Sequence, residues 1–148
     1  MPRTTQQQID AMAVADSLRP TLLRLARELR QEKIAGVSPH QVGLLVAIKY
    51  APGVTVGELA AGERVSTAAM SKRVSRLERD GLVTRTQSES DRRCIGLTLT
   101  EEGQRTLRRV RSRRTAWLAS RLNARSPDEL AAVSAAAEPL ARLLEERE

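Results

Sequence analysis

Aromatic side chains are almost missing from this 148-residue chain: it has no phenylalanine, and Tyr50 and Trp117 are the whole complement. Two aromatics cannot build a platform that stacks successive single-stranded bases. Histidine and cysteine are as scarce, one of each, His40 and Cys94. That excludes a metal-ligand cluster of the usual Cys/His kind, and no metal or other cofactor is expected. A lone thiol cannot close an internal disulfide, which fits a reducing compartment. There is no phosphate-binding P-loop, no dinucleotide glycine fingerprint and no Gly-x-Ser-x-Gly elbow, so no catalytic residues are assigned and an enzyme is not expected. No apolar run approaches the ~18 residues of a membrane span. The N-terminus, polar and containing Gln6, Gln7 and Gln8, lacks a signal-peptide core. The expectation is a cytoplasmic protein with no membrane partner.

What the chain has in excess is positive charge. Its 25 Lys and Arg against 18 Asp and Glu give +7, unevenly spread: net +1 over residues 1–63, +4 over 64–99, +6 over 100–125 and −4 over 126–148. Such a stripe attracts a polyanion and makes affinity depend strongly on salt. A basic membrane-surface helix competes poorly, because residues 105–125 lack a broad aromatic or apolar face. The length is that of one domain.

Between Thr55 and Gly103 two helical patterns joined by a tight turn run into a hairpin. Thr55 and Glu58 form a capping box opening one helix, and Ser66 caps the next after Glu63-Arg64-Val65. This second helix is predicted from about Thr67 to Asp80, ended by Gly81. Met70, Val74 and Leu77 share one face, and Ala68, Lys72, Ser75, Arg76 and Arg79 the opposite one. Small residues near the N-terminal end and cations further along suit a helix laid in a major groove. Residues 82–87 and 94–99 read as paired strands, with Ile95, Leu97 and Leu99 alternating onto one face. Their connection, Ser88-Glu89-Ser90-Asp91-Arg92-Arg93, puts two arginines on a narrow tip that can enter a minor groove. Either part alone also fits an ordinary solvated helix or turn; the two in sequence form a winged helix-turn-helix.

The runs Thr55-Val56-Gly57-Glu58-Leu59-Ala60, Leu77-Glu78-Arg79-Asp80-Gly81-Leu82-Val83, Asp91-Arg92-Arg93 and Leu97-Thr98-Leu99-Thr100-Glu101-Glu102-Gly103 resemble the MarR family of bacterial transcriptional regulators. The resemblance covers nearly the whole chain and is most specific in the wing. It implies a mainly α fold with a small β-hairpin wing, in which residues 36–100 form the DNA-binding region and residues 1–35 and 101–148 supply dimerisation helices. It also implies that Arg93 enters the minor groove, that Asp91 orients the tip, and that Ser66, Thr67, Ala68, Ser71 and Lys72 meet the major groove. Arg92 is assigned to phosphate.

Outside the wing the pattern is scaffold. Leu18, Leu22, Leu25 and Leu29 repeat at helical spacing; a bend or restart near Asp16–Pro20 is expected, capped by Asp16 or Ser17, because proline inside a helix costs about 3 kcal/mol. A further helix is predicted at about Pro39–Tyr50. Thr100 can cap a helix carrying Leu107, Val110 and Trp117 on one face. Ser126-Pro127-Asp128-Glu129 opens the last helix, lined by Leu130, Val133, Ala137, Leu140 and Leu144. The terminal stripes can pack within one chain or, as the resemblance implies, across a two-fold dimer that matches half-sites about 34 Å apart.

Three residues carry alternatives. Arg92 and Arg93 beside Cys94 could depress its pKa and make a redox-sensing regulator; a plain strand residue is favoured, since no resolving thiol exists. His40 and Trp117 are weak candidates for an effector site, against an exposed first-turn residue and a dimer-core anchor. The reading that follows is a homodimeric repressor of a pseudo-palindromic double-stranded DNA site, released by a small molecule such as an aromatic acid. A winged-helix module for protein interaction or DNA packaging is the other alternative.

Overall fold

The computed structural model describes residues 10–31, 34 and 36–145. Their order is α1 (Ala11–Gln31), α2 (Pro39–Tyr50), α3 (Val56–Glu63), α4 (Thr67–Arg79), β1 (Val83–Gln87), β2 (Ile95–Leu99), α5 (Glu101–Leu122) and α6 (Pro127–Arg142). Local chemistry explains most of the boundaries. Ser38, Thr55 and Ser126 each accept the N–H three residues on, and Gln41, Glu58 and Glu129 reach back to the cap N–H, three complete capping boxes. Ser66 and Thr100 cap α4 and α5 in the simpler way, accepting from Ala69 N at 3.1 Å and Gly103 N at 3.0 Å. Gly81, at φ +71°, takes the left-handed conformation that lets the chain leave α4 for the hairpin.

The core lies between α2, α3, α4, the hairpin and α5, which contributes Leu107 and Val110. Met70, Val74 and Leu77, the apolar face of α4, are fully buried, as are Leu45 of α2 and Leu97 of β2. Burying a side chain of this size contributes roughly 1.5–3 kcal/mol, so α4 is fixed in orientation by its inner face and its opposite face is left outward. The hairpin is antiparallel, with Val83 opposite Leu99 and Gln87 opposite Ile95. The loop before α3 joins it: Gly53 N donates to Leu97 O and Leu97 N to Val54 O, both at 2.8 Å. The base of the wing is thereby hydrogen-bonded to the helix-turn-helix.

Several expectations are corrected. α1 runs unbroken through Pro20, without a restart at Asp16 or Ser17. Proline's fixed φ is itself helical, and the surrounding Ala, Leu, Arg and Glu favour helix strongly enough to absorb one lost hydrogen bond. Ser17 does not cap; its hydroxyl donates back to Val14 O. Ile95 is 52% exposed: it sits at the wing's distal end, beyond the reach of α3 and α4, while Leu97 nearer the base is buried. Leu144 lies past the end of α6. Of the terminal stripes, Leu107 and Val110 of α5 are buried within the chain and α1 lies against α5, whereas most of the stripes on α1 and α6 stay uncovered. Among the described residues neither α1 nor α6 has any buried residue, and Leu22, Leu25, Leu130 and Val133 are all exposed.

Candidate nucleic-acid interface

The outward face of α4 begins at its cap. Ser66, Thr67 and Ala68 are exposed, followed by half-buried Ser71, exposed Lys72, half-buried Ser75 and exposed Arg76 and Arg79. The Ser66 oxygen is occupied by the Ala69 N–H, which leaves its own hydroxyl hydrogen free to donate outward. Arg73, at the edge between the two faces, is held by Glu63 of α3 at 3.0 Å. The turn between α3 and α4 places Arg64 in the left-handed region at φ 54°, where its N–H closes α3 against Ala60 and Ala61. At the other end of α4, Glu78 pairs with Arg85 of β1 at 2.9 Å, tying helix to wing.

The wing tip is built around Asp91. Its carboxylate accepts Arg93 N at 3.0 Å, its backbone carbonyl accepts Cys94 N at 2.9 Å, and its own N–H reaches Ser88 Oγ at 3.4 Å. The Gln87 side chain holds the tip from inside by donating to Arg92 O. Three of these bonds use the backbone of Arg92, Arg93 or Cys94 as partner, and the Cys94 thiol adds a further one by donating to Asp91 Oδ2 at 3.6 Å. Both guanidinium groups extend from an exposed turn, and among the described residues neither enters a salt bridge.

Asp91 also speaks against the redox alternative for Cys94. Its negative charge, followed by the thiol's hydrogen bond to it, raises the Cys94 pKa above the usual thiol range. In the redox alternative the arginines act the other way, but it is the Asp91 carboxylate that bonds the thiol. The residue precedes β2 instead of starting it. A thiol held protonated is a poor nucleophile toward peroxide. Cys94→Ser should therefore leave DNA binding and its response to mild peroxide unchanged; peroxide-induced loss of binding in the native protein that the serine variant escapes would instead establish a redox switch.

A cavity of about 580 Å³ lies between α2, the base of the wing and α5. Val42, Ile48, Leu107 and Val110 form its apolar part, and Lys49, Arg108, Arg111 and Arg114 its charged part. Arg114 Nε is buried there without a hydrogen-bond partner, a costly state that an anion would relieve. This cavity was missed from the sequence, because the cations of α5 were read only as part of a stripe. Neither earlier candidate lines it. Trp117 is half-buried against Arg121, whose guanidinium carbon is 3.7 Å from the ring centroid. His40 sits at the start of α2, with Nε2 3.8 Å from Glu63.

A family model described as MarR family matches residues 35–93, the stretch that holds α2, α3, α4, β1 and the wing tip. The HTH-type transcriptional repressor MdtR of Bacillus subtilis is 31% identical over 123 residues, covering 83% of this chain and 76% of the relative. The chain belongs to the MarR family. MarR proteins are transcriptional regulators, and the matched relatives are regulators and not enzymes. A putative transcriptional regulator from Pseudomonas aeruginosa PA01 shares 30% identity and a TM-score of 0.73, over 99% of this chain and 100% of that one. FabT of Streptococcus pneumoniae, solved in complex with DNA, shares the MarR winged-helix fold at a TM-score of 0.55 and 24% identity, covering 91% and 97% of the two chains. Among the described residues no helix is long and apolar enough to cross a membrane.

Proposed function

We propose that this MarR protein is a cytoplasmic homodimer that represses transcription by holding a pseudo-palindromic duplex and is released by a small anionic effector. The observation that carries the reading is the pairing of an outward α4 face with an adjacent, Asp91-built tip from which Arg92 and Arg93 project free. Ser66, Thr67, Ala68, Ser71 and Lys72 meet the major groove, Ser75 and Arg76 extend the DNA-contacting face along α4, Arg93 meets the neighbouring minor groove and Arg92 phosphate. Residues 36–100 are the DNA-binding region. Residues 1–35 and 101–148 dimerise, a role supported by apolar stripes on α1 and α6 that bury nothing within the chain. Repression is supported by the relative MdtR, a transcriptional repressor. The test is selection of duplexes from a random pool by the full chain. Two inverted half-sites about 34 Å apart are expected, whereas enrichment of a single half-site removes the dimer mechanism and no sequence enrichment leaves a packaging or protein-interaction module.

The cavity between α2 and α5 is the effector site in this reading: an apolar body with a carboxylate, an aromatic acid for instance, fits its mix of aliphatic and guanidinium groups. An effector that prefers the wrong spacing of the two reading helices weakens DNA binding through a coupling of typically 1–3 kcal/mol. Aromatic acids should therefore raise the thermal midpoint and lower operator affinity, and Arg114→Leu should abolish both effects. A panel that changes neither quantity would exclude this ligand class.

A further inference from the structure

Beside α4, the first turn of α2 encloses a notch of about 180 Å³ bounded by Ser38, His40, Gln41, Leu44, Arg73 and Arg76. Its charges come from three elements. Glu63 of α3 is bonded to Arg73 at 3.0 Å and lies 3.8 Å from His40 Nε2. Asp80, which caps the end of α4, accepts from Gln41 Nε2 at 3.4 Å. Arg76 is exposed and outside these pairings. It stands one turn beyond Lys72, so the notch continues the outward cationic face of α4 around its side. A helix lying in a major groove has a phosphate strand along each edge, and side chains flanking its inward face meet those phosphates instead of bases.

We propose that His40, Arg73 and Arg76 form a backbone-phosphate site on one wall of the groove, and that protonation of His40 strengthens it. The inference rests on the DNA-binding reading above. A phosphate entering the notch adds a second negative charge, after Glu63, beside the ring, and negative charge favours the protonated form of an imidazole. Binding then takes up a proton, so affinity rises as pH falls. Protonation also gives Glu63 a second cation to share, loosening its hold on Arg73 and making that guanidinium available to the phosphate.

His40 is the single histidine of the chain, and histidine is the side-chain type that ordinarily titrates between pH 5 and 8. Cys94, raised by Asp91, stays protonated across that range. The experiment measures the affinity of the full chain for its selected duplex by fluorescence anisotropy at pH 8 and pH 6, over a series of salt concentrations. The native protein should bind about 3- to 10-fold tighter per half-site at pH 6, with a salt slope steeper by about 0.9 for each phosphate newly neutralised. His40→Gln should bind at both pH values as the native protein does at pH 8. His40→Lys, carrying a fixed charge, should bind tightly at both. A native pH response that survives in His40→Gln overturns the proposal, as does a native protein with no response. Failure to bind any duplex at either pH overturns the DNA-binding reading itself, and this site with it.

Discussion

Arg93→Ala is expected to weaken operator binding by about 1–3 kcal/mol per half-site and to relax the preference for A·T pairs at the outer edges of the palindrome. The tip is held by the backbone N–H of Arg93, which donates to Asp91, and not by its side chain. Alanine at this position keeps that bond, so the turn survives while its guanidinium is lost. Asp91→Ala should do the reverse, keeping both guanidinium groups and loosening the loop that aims them. A minor-groove arginine responds to groove width, so the penalty should shrink on a duplex whose edge pairs are changed to G·C. Lys72→Ala provides the contrast: if it meets phosphate, affinity falls almost equally on all sequences and the salt slope shrinks by about 1. Titration of the two variants against the selected site and an edge-substituted site, over a range of salt, separates these outcomes. Native affinity in Arg93→Ala would mean that the wing does not enter the groove.

The second large effect is structural. Gly103 lies in the first turn of α5, where an added Cβ would stand 2.1 Å from the carbonyl oxygen of Leu82 and 3.1 Å from its carbon. Glycine to alanine inside a helix ordinarily stabilises by roughly 0.5–1 kcal/mol. Here both sides of the contact are backbone: Leu82 is buried, and its carbonyl also accepts Thr100 N at 3.1 Å. Gly103→Ala should therefore destabilise by about 3 kcal/mol, the range of overpacked cores, because α5 must lift off the start of β1. Gly43→Ala is the control, since nothing lies within 4 Å of a Cβ built there. Urea unfolding monitored by circular dichroism should move the two midpoints apart, Gly103→Ala downward and Gly43→Ala level or upward. Equal midpoints would show that the junction yields easily.

Features written by neighbours in the chain were legible from the residues: the capping pairs Thr55–Glu58 and Ser126–Glu129, the cap at Ser66, the inner face of α4 and the hairpin. The caps and the helix face depend on spacings of three to seven residues, and the hairpin on alternation either side of a polar turn. Pro20 was misjudged because a local penalty was weighed without the helix-forming residues on both sides. The left-handed Arg64 carries no sequence mark, since glycine or asparagine is the usual occupant of that conformation. Gly103 stood in the family pattern, yet the reason for it, the carbonyl of Leu82, becomes visible only once β1 and α5 meet. Cys94 shows the same limit in electrostatics. Its arginine neighbours are adjacent in sequence, but the direction of its shift follows from which side chain folds back to the sulfur. The cationic cavity and the Glu63 pairings join residues from separate elements and have no local signature at all.

The terminal helices have a thermodynamic corollary. α1 and α6 include no buried residue in the single chain, and helices in proteins draw most of their stability from tertiary packing of an apolar face. In the dimer proposed above their persistence would be supplied by association, and folding of the ends would become a second-order process. In dilute solution the melting temperature should drift downward with protein concentration, while the α2–α4 core, closed within one chain, melts independently of it. A regulator built this way would couple its own abundance to the integrity of the frame that spaces its two reading helices.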